Sequence, residues 1–288
     1  MKVAQGPAEL ARRARVVAIG TFDGVHLGHR AVVQPAVEAG PCPTVVTFHP
    51  HPRTVLGNRV ELLATLERRL ELLEALGVEE TLVVEFTPEL ATLTPEEFAR
   101  AYLASIGTDV VVAGAGFRFG RRRTGDLALL ETLGFDVQVV PIVDGISSTR
   151  IRQLVHSGEM VDAAQLLGRP VEVDGIVVSG DARGGTLGFP TANLRVEPDQ
   201  LVPSYGIYAG AVLGHRAAVS VGVNPHYGGA ERRIEAFVLD FAGDLYGRRL
   251  VVELWERLRN ERAFESEADL VAQIARDVEQ TRAAQRPV

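Results

Sequence analysis

A chain of 288 residues, 46% of them hydrophobic, can bury two modest cores, and two domains are the expectation. Its 30 Lys and Arg against 37 Asp and Glu give a net charge of -7, which argues against a nucleic-acid partner. The single cysteine, Cys42, excludes an internal disulfide, Met1 to Arg15 lacks the apolar core of a signal peptide, and no run approaches the roughly 18 apolar residues of a membrane span. A cytoplasmic protein without a membrane partner is expected.

In chain order, Val16-Val17-Ala18-Ile19 reads as a short buried strand, and Leu27 to Ala39 has helical spacing. The stretch between them, Gly20-Thr21-Phe22-Asp23-Gly24-Val25-His26-Leu27-Gly28-His29, is therefore a strand-to-helix turn. Its glycines let the backbone come close to a ligand, and the helix start points N-H groups and the positive end of its dipole outward. That is an anion site, best suited to phosphate. His26 and His29 sit at the helix start, where both imidazoles can donate to one bound anion. The bland alternative is a Gly-rich turn with two surface histidines.

Short apolar runs then alternate with helical stretches. Val45 to Phe48, Thr81 to Phe86, Val110 to Ala113 and Val137 to Val140 read as strands, and Leu62 to Leu76 as a helix closed by Gly77. Thr94-Pro95-Glu96-Glu97 opens another helix, with a capping threonine and a proline in its first turn. Such alternation predicts a parallel sheet covered on both faces, with ligands at the carboxyl ends of its strands. Basic residues cluster at Arg118, Arg121, Arg122 and Arg123, and since Lys2 is the only lysine, arginine carries the positive charge. Ser148-Thr149-Arg150-Ile151-Arg152 starts a helix running to about His156, and its arginines at a helix start suit a second phosphate contact or a solvated surface equally.

A helical stretch from Gly158 ends at Gly168, Arg169-Pro170 breaks it, and the texture changes. Val171 to Val178, Ile207 to Leu213, Ala217 to Val223, Ile234 to Phe241 and Leu250 to Leu258 are strand-like runs between Gly, Pro and Asn turns, which suggests a small antiparallel barrel. Glu267 to Arg282 is an amphipathic helix whose apolar face, including Leu270, Ile274 and Val278, is expected to pack on that barrel. In Gly180-Asp181-Ala182-Arg183-Gly184-Gly185-Thr186-Leu187-Gly188-Phe189-Pro190-Thr191-Ala192-Asn193 the glycines suit a loop that closes over phosphates, while Thr191 and Asn193 supply oxygens for Mg2+.

The Gly20 to His29 string, together with Thr47-Phe48-His49-Pro50-His51-Pro52, Ile146-Ser147-Ser148-Thr149-Arg150-Ile151-Arg152 and Gly188-Phe189-Pro190-Thr191-Ala192-Asn193-Leu194, resembles the bacterial bifunctional riboflavin kinase/FMN adenylyltransferase (FAD synthetase) family over nearly the whole chain. The resemblance implies an α/β fold: a Rossmann-like nucleotidylyltransferase domain over 1–168, then a small antiparallel β-barrel kinase domain over 169–288 with a C-terminal helix. By that resemblance His26 and His29 polarise ATP phosphates as pyrophosphate leaves. Gly20, Phe22, Asp23, Gly24, Gly28, Ser148, Thr149, Arg150, Arg152, Gly180, Arg183 and Gly188 would hold ATP and its phosphates. Phe48, Pro50, Pro52 and Asn224 would shape the flavin sites. Thr191 and Asn193 would bind Mg2+ with ATP, and Glu235, otherwise an unremarked strand residue, would be the base for the ribityl 5′-hydroxyl.

The implied substrates are riboflavin, FMN and ATP, and a monomer or weak homo-oligomer is expected. Departures from the family pattern fall at His49, where an acidic residue is usual, at Gly116 in place of Asp or Asn, at a shortened Asp144-Gly145 in place of a basic residue, at Gly185 and at His226. They leave open a paralogue with a weak or altered N-terminal half; a non-catalytic flavin-binding protein is the rival of another class.

Overall fold

The computed structural model describes residues 1–40, 42–180, 188–223 and 232–288. It divides into two compact units, residues 1–60 with 66–146, and residues 61–65 with 147–288.

In the first unit, strands β1 (Lys2–Ala4), β2 (Arg15–Ile19), β3 (Thr44–His49), β4 (Glu80–Glu85), β5 (Thr108–Gly114) and β6 (Asp136–Val140) form one sheet in the order β1-β4-β3-β2-β5-β6. Every pairing in it is parallel. Helices α1 (Leu27–Glu38), α2 (Pro52–Val55), α3 (Leu66–Ala75), α4 (Pro95–Phe98) and α5 (Leu127–Thr132) connect the strands. Alternation along β2 feeds two cores: Val17 and Ile19 join Phe98 and Leu103 on one face, while Val16 and Ala18 join Val33 and Leu73 on the other. Strand order reverses beside β2, so the turn after β2 and the loop after β5 open side by side at the carboxyl end of the sheet. Lys2–Ala4, too short to show periodicity, is an edge strand that the sequence pattern did not announce.

The second unit begins with α6 (Ser148–Ser157) and α7 (Met160–Leu167), followed by β7 (Val171–Val178), β8 (Ala192–Val196), β9 (Gly206–Val212), β10 (His215–Val223), β11 (Arg232–Val238), β12 (Arg249–Arg259) and α8 (Glu267–Ala283). The strands close into an antiparallel barrel in the order β10-β11-β8-β7-β12-β9. Ile151 and Val155 of α6, Met160, Ala163 and Leu167 of α7, and Leu63 belong to the barrel's core. By packing, then, residues 147–168 group with the barrel.

Two expectations need correction. The helix expected from Leu62 starts only at Leu66, because Leu62 to Ala64 are buried against the barrel unit and Leu62 pairs with Gln200. The face that α8 turns inward is more polar than its leucine pattern implied: Val278 is buried, Leu270 and Ile274 are half-buried, and Gln273, Asp277 and Thr281 are buried beside them. The reason is a polar seam. Arg259 Nη2 donates to Asp277 at 2.7 Å, Gln273 donates to Asp277 at 2.8 Å, and Arg216 donates to the Thr281 carbonyl at 2.9 Å while its guanidinium lies 5.2 Å from the Trp255 ring centre.

Opposite the ligand end of the sheet lies a buried ion pair. Arg15 Nη2 and Nε donate to Glu80 at 2.7 and 3.1 Å, Cys42 Sγ donates to the same carboxylate at 3.2 Å, and Arg15 also bonds the Ile106 carbonyl. Burial pushes the Glu80 carboxyl up, but hydrogen bonds from Arg15 and Cys42 and the charges of Arg15 and Arg13 outweigh it and hold the group below the usual carboxylate range. The stability it contributes is present above the pKa of an unfolded glutamate and is lost as pH falls through the lowered folded value. Glu80→Ala strands a buried guanidinium and is expected to cost about 3–5 kcal/mol in the unfolding of the first unit. Denaturant titration checks this, and the deficit should shrink in acid.

Candidate functional site

The turn after β2 is held in a demanding backbone form. Phe22 (φ 48°) and Val25 (φ 41°) both adopt left-handed conformations, which cost of order 1–3 kcal/mol each in a non-glycine residue and are hardest for a β-branched one. Full burial of both side chains against the sheet core keeps them there. Gly20 closes β2 with its N-H on the Val46 carbonyl at 3.1 Å, Gly24 takes φ 81°, and Asp23 is 2% exposed. His26 is the N-cap of α1, and its Nδ1 accepts the His29 backbone N-H at 3.2 Å. An acceptor at Nδ1 puts the ring proton of the neutral imidazole on Nε2, which leaves that nitrogen a donor. The His26 and His29 rings stack with centres 3.5 Å apart and planes 16° apart, and Phe22 meets His29 edge-on at 5.5 Å. At Gly28 a Cβ would press on the His26 ring at 3.2 Å, so glycine keeps the ring in place.

Phe48 ends the neighbouring strand and is 8% exposed, with its ring 6.0 Å from those of Phe86 and Phe98; it therefore sits in the aromatic core. Pro50 follows a cis His49-Pro50 bond, and Pro52 opens α2, which His51 caps at 3.1 Å. A side chain at Gly116 would begin in open space, with only Ile142 as near as 4.0 Å, whereas Gly145 adopts φ 74°. Arg69 of α3, which no motif singled out, reaches this end of the sheet: its Nη1 donates to the carbonyls of Thr21 at 2.6 Å and Phe48 at 3.2 Å. Its signal was positional, since residue 69 lies on the inward stripe of α3 with Leu73.

Ser148, Thr149, Arg150 and Arg152 belong to the second unit. Ser147 is the cap of α6, accepting the Arg150 N-H at 3.2 Å; Thr149 and Arg150 are exposed, and Arg152 Nε donates to the Glu61 carbonyl at 2.6 Å.

On the barrel, register places Glu235 of β11 directly opposite Asn193 of β8. Thr191 Oγ1 donates to Glu235 Oε2 at 3.1 Å. Arg233, a second residue that sequence reasoning missed, bridges the pair, with its Nε 2.9 Å from Asn193 Oδ1 and 2.9 Å from Glu235 Oε1. Alternation two residues before Glu235 puts it on the same face of β11, which is the signal that could have found it. Gly180 must be glycine, because a Cβ would lie 2.2 Å from Asn193 Nδ2. Gly188 takes φ 85°. Arg183 and Asn224, with Gly185 and His226, lie outside the described residues. Beside Thr191 opens a cavity of about 450 Å³ with apolar walls from Val177, Pro190, Val238, Leu245 and Tyr246.

Thr191 Oγ1, Asn193 Oδ1 and the Glu235 carboxylate form an all-oxygen donor set that fits a hard cation such as Mg2+. Among the described residues no group of three or more His, Cys, Asp or Glu could hold a metal ion, so such a cation would draw most of its ligands from phosphate and water. Glu261 lies near this cluster, its Oε1 filling the space where a side chain at position 222 would begin. Glu261 is exposed overall, but partial burial of its carboxyl pushes it up modestly, which Arg259 opposes and Glu235 reinforces. A raised carboxyl destabilises the fold progressively as pH rises from the pKa of an unfolded glutamate to the raised folded value, and fully above it. Glu261→Gln is therefore expected to raise the melting temperature of the barrel unit at neutral pH, with the gain vanishing below the ordinary carboxylate range, as read in thermal melts across pH.

The FAD synthetase family model matches residues 9–153 and the riboflavin kinase family model residues 167–285. A bifunctional riboflavin kinase/FMN adenylyltransferase of Listeria monocytogenes is 39% identical over 288 residues, spanning 93% of this chain and 92% of its own. The protein of the same description from Escherichia coli K12 is 37% identical over 300 residues, with 96% of each chain covered. A crystal structure of a macrolide-efflux protein from Streptococcus pneumoniae superposes with a TM-score of 0.87 at 32% identity, covering 98% of this chain and 99% of that one. Among the described residues of this chain, no helix is long and apolar enough to cross a membrane.

Proposed function

The chain belongs to the bifunctional riboflavin kinase/FMN adenylyltransferase family, and from that premise we propose that it phosphorylates riboflavin to FMN on its barrel and adenylylates FMN to FAD on its parallel sheet. The observation that carries this reading is the pairing of two unlike polar clusters, each suited to phosphate, in one chain. One is a stacked histidine pair at a helix start; the other is a base-and-oxygen cluster on two barrel strands. As functional domains we keep 1–168 and 169–288; the start of the second lies close to residue 167, where the riboflavin kinase model begins, whereas the FAD synthetase model ends at 153.

In the kinase step, Glu235 accepts the proton of the ribityl 5′-hydroxyl as its oxygen attacks the γ-phosphorus of ATP; the new O-P bond forms while the bond to ADP breaks. Arg233 and Thr191 orient the carboxylate beforehand through its two oxygens. Thr191 and Asn193 would hold Mg2+, which when bound neutralises phosphate charge. Gly180, Arg183 and Gly188 are assigned to ATP, and Asn224 to riboflavin, on the family's pattern.

In the adenylyl step, a phosphate oxygen of FMN attacks the α-phosphorus of ATP and pyrophosphate leaves. No protein nucleophile takes part, so the work is positioning and charge stabilisation. His26 donates from Nε2 and, with His29, meets charge developing on the departing phosphates. Gly20, Phe22, Asp23, Gly24 and Gly28 form the turn that receives them. Ser148, Thr149, Arg150 and Arg152 are assigned to phosphate, and Phe48, Pro50 and Pro52 to the flavin side, on the family's pattern. We propose that the enzyme works in the cytoplasm as a monomer or weak homo-oligomer.

The two sites should fail separately. Glu235→Gln is expected to lower FMN formation by about 10²–10⁴-fold while FAD formation from supplied FMN persists. His29→Ala should lower FAD formation by about 10²-fold and spare FMN formation. Chromatography of riboflavin, FMN and FAD after incubation with ATP and Mg2+ reads both; one folded variant that stops both reactions contradicts the two-site reading.

A further inference from the structure

We propose that Arg69 is a positioning residue for adenylyl transfer, fixing the backbone of the Gly20 turn from beneath and offsetting the charge of Asp23. The inference rests on the adenylyl-transfer reading of that turn and adds a residue that no motif marks. Arg69 is 3% exposed, so its guanidinium lies under the turn and not at its surface. Burying a guanidinium costs several kcal/mol after relaxation, and an apolar side chain would fill the same stripe of α3 without that cost. The hydrogen bonds explain part of its presence. Nη1 binds the Thr21 carbonyl at 2.6 Å and the Phe48 carbonyl at 3.2 Å, and it lies 3.4 Å from Thr47 Oγ1, which itself donates to Thr21 at 3.1 Å. One nitrogen thus ties together the carboxyl ends of β2 and β3, from which the turn and the Phe48-Pro50 loop depart.

Hydrogen bonding alone is an incomplete account, since Arg69 Nε is buried with no hydrogen-bond partner among the described residues. The remaining contribution is charge. Burial pushes the Arg69 guanidinium below its ordinary value, and the Asp23 carboxylate opposes that fall. Asp23 is itself 2% exposed, in a turn whose N-H groups and histidines are arranged to receive a triphosphate. A buried carboxylate there repels the substrate unless a fixed cation offsets it. Arg69 is that cation, held where solvent and salt screen it little.

Arg69→Met keeps the length and removes the charge; Arg69→Lys keeps the charge. Arg69→Met is expected to lower kcat/KM for FAD formation by about 100-fold, chiefly as a raised KM for ATP, while riboflavin phosphorylation by the same chain is unchanged. Arg69→Lys should retain most of the rate. Adding Asp23→Asn to Arg69→Met should bring the KM for ATP back down, a recovery that a misfolded sheet would not give. FAD formation by Arg69→Met at the wild-type rate overturns the inference alone, as does a double variant no better than the single one. A wild-type chain that makes FMN but no FAD overturns the adenylyl reading and this inference together.

Discussion

A histidine ring that caps its own helix is the constraint around which the N-terminal half is built. His26 Nδ1 takes the His29 N-H, so one interaction fixes the start of α1, the tautomer of His26 and the stacking of the two imidazoles. Its consequences run outward. A side chain at position 28 would press on the His26 ring, Phe22 meets His29 edge-on from a left-handed conformation, and Val25 is strained in the same sense. Such strain persists only where the surroundings over-determine it, and here the core on one face of the sheet, with Arg69 beneath, supplies that support. The turn thus has a backbone fixed by buried side chains, which is what the proposed electrostatic stabilisation of phosphate requires.

The barrel solves a related problem with side chains in place of backbone. Antiparallel register sets Asn193 across from Glu235, alternation brings Arg233 onto the same face, and Thr191 completes the cluster from the strand's approach. Because the barrel is closed, these residues cannot slip in register without moving every strand around the ring. Arg233 keeps the glutamate oriented, and a cavity with apolar walls opens beside Thr191. The C-terminal helix is tied to the barrel by the Arg259-Asp277 pair and its neighbours, a polar attachment that also fixes the chain segment leading to Glu261.

Much of this was legible in the sequence, for identifiable reasons. The central strands of the sheet are rich in valine and other apolar residues because both of their faces are covered, and the strand-like runs of the barrel half are separated by glycine, proline and asparagine in the sequence. Family resemblance brought the two histidines, Thr191, Asn193 and Glu235 forward together. What stayed hidden depended on tertiary contacts. Leu62 to Thr65 carry a helical leucine spacing, yet they leave the helix because Leu62 pairs with Gln200. Ala192–Val196 is a strand whose register comes from β7 and β11, with no alternation of its own to announce it. Arg69 and Arg233 belong to no motif, and periodicity assigns a face to a residue without revealing which carbonyl or carboxylate waits there.

Transfer of two different parts of ATP to the same flavin by one chain is the central claim. Parallel incubations of the wild-type chain with riboflavin, Mg2+ and ATP labelled at either the γ- or the α-phosphorus test it most directly. Label from the γ-position is expected in both FMN and FAD, and label from the α-position in FAD alone. Absence of α-label from every flavin product would contradict the claim.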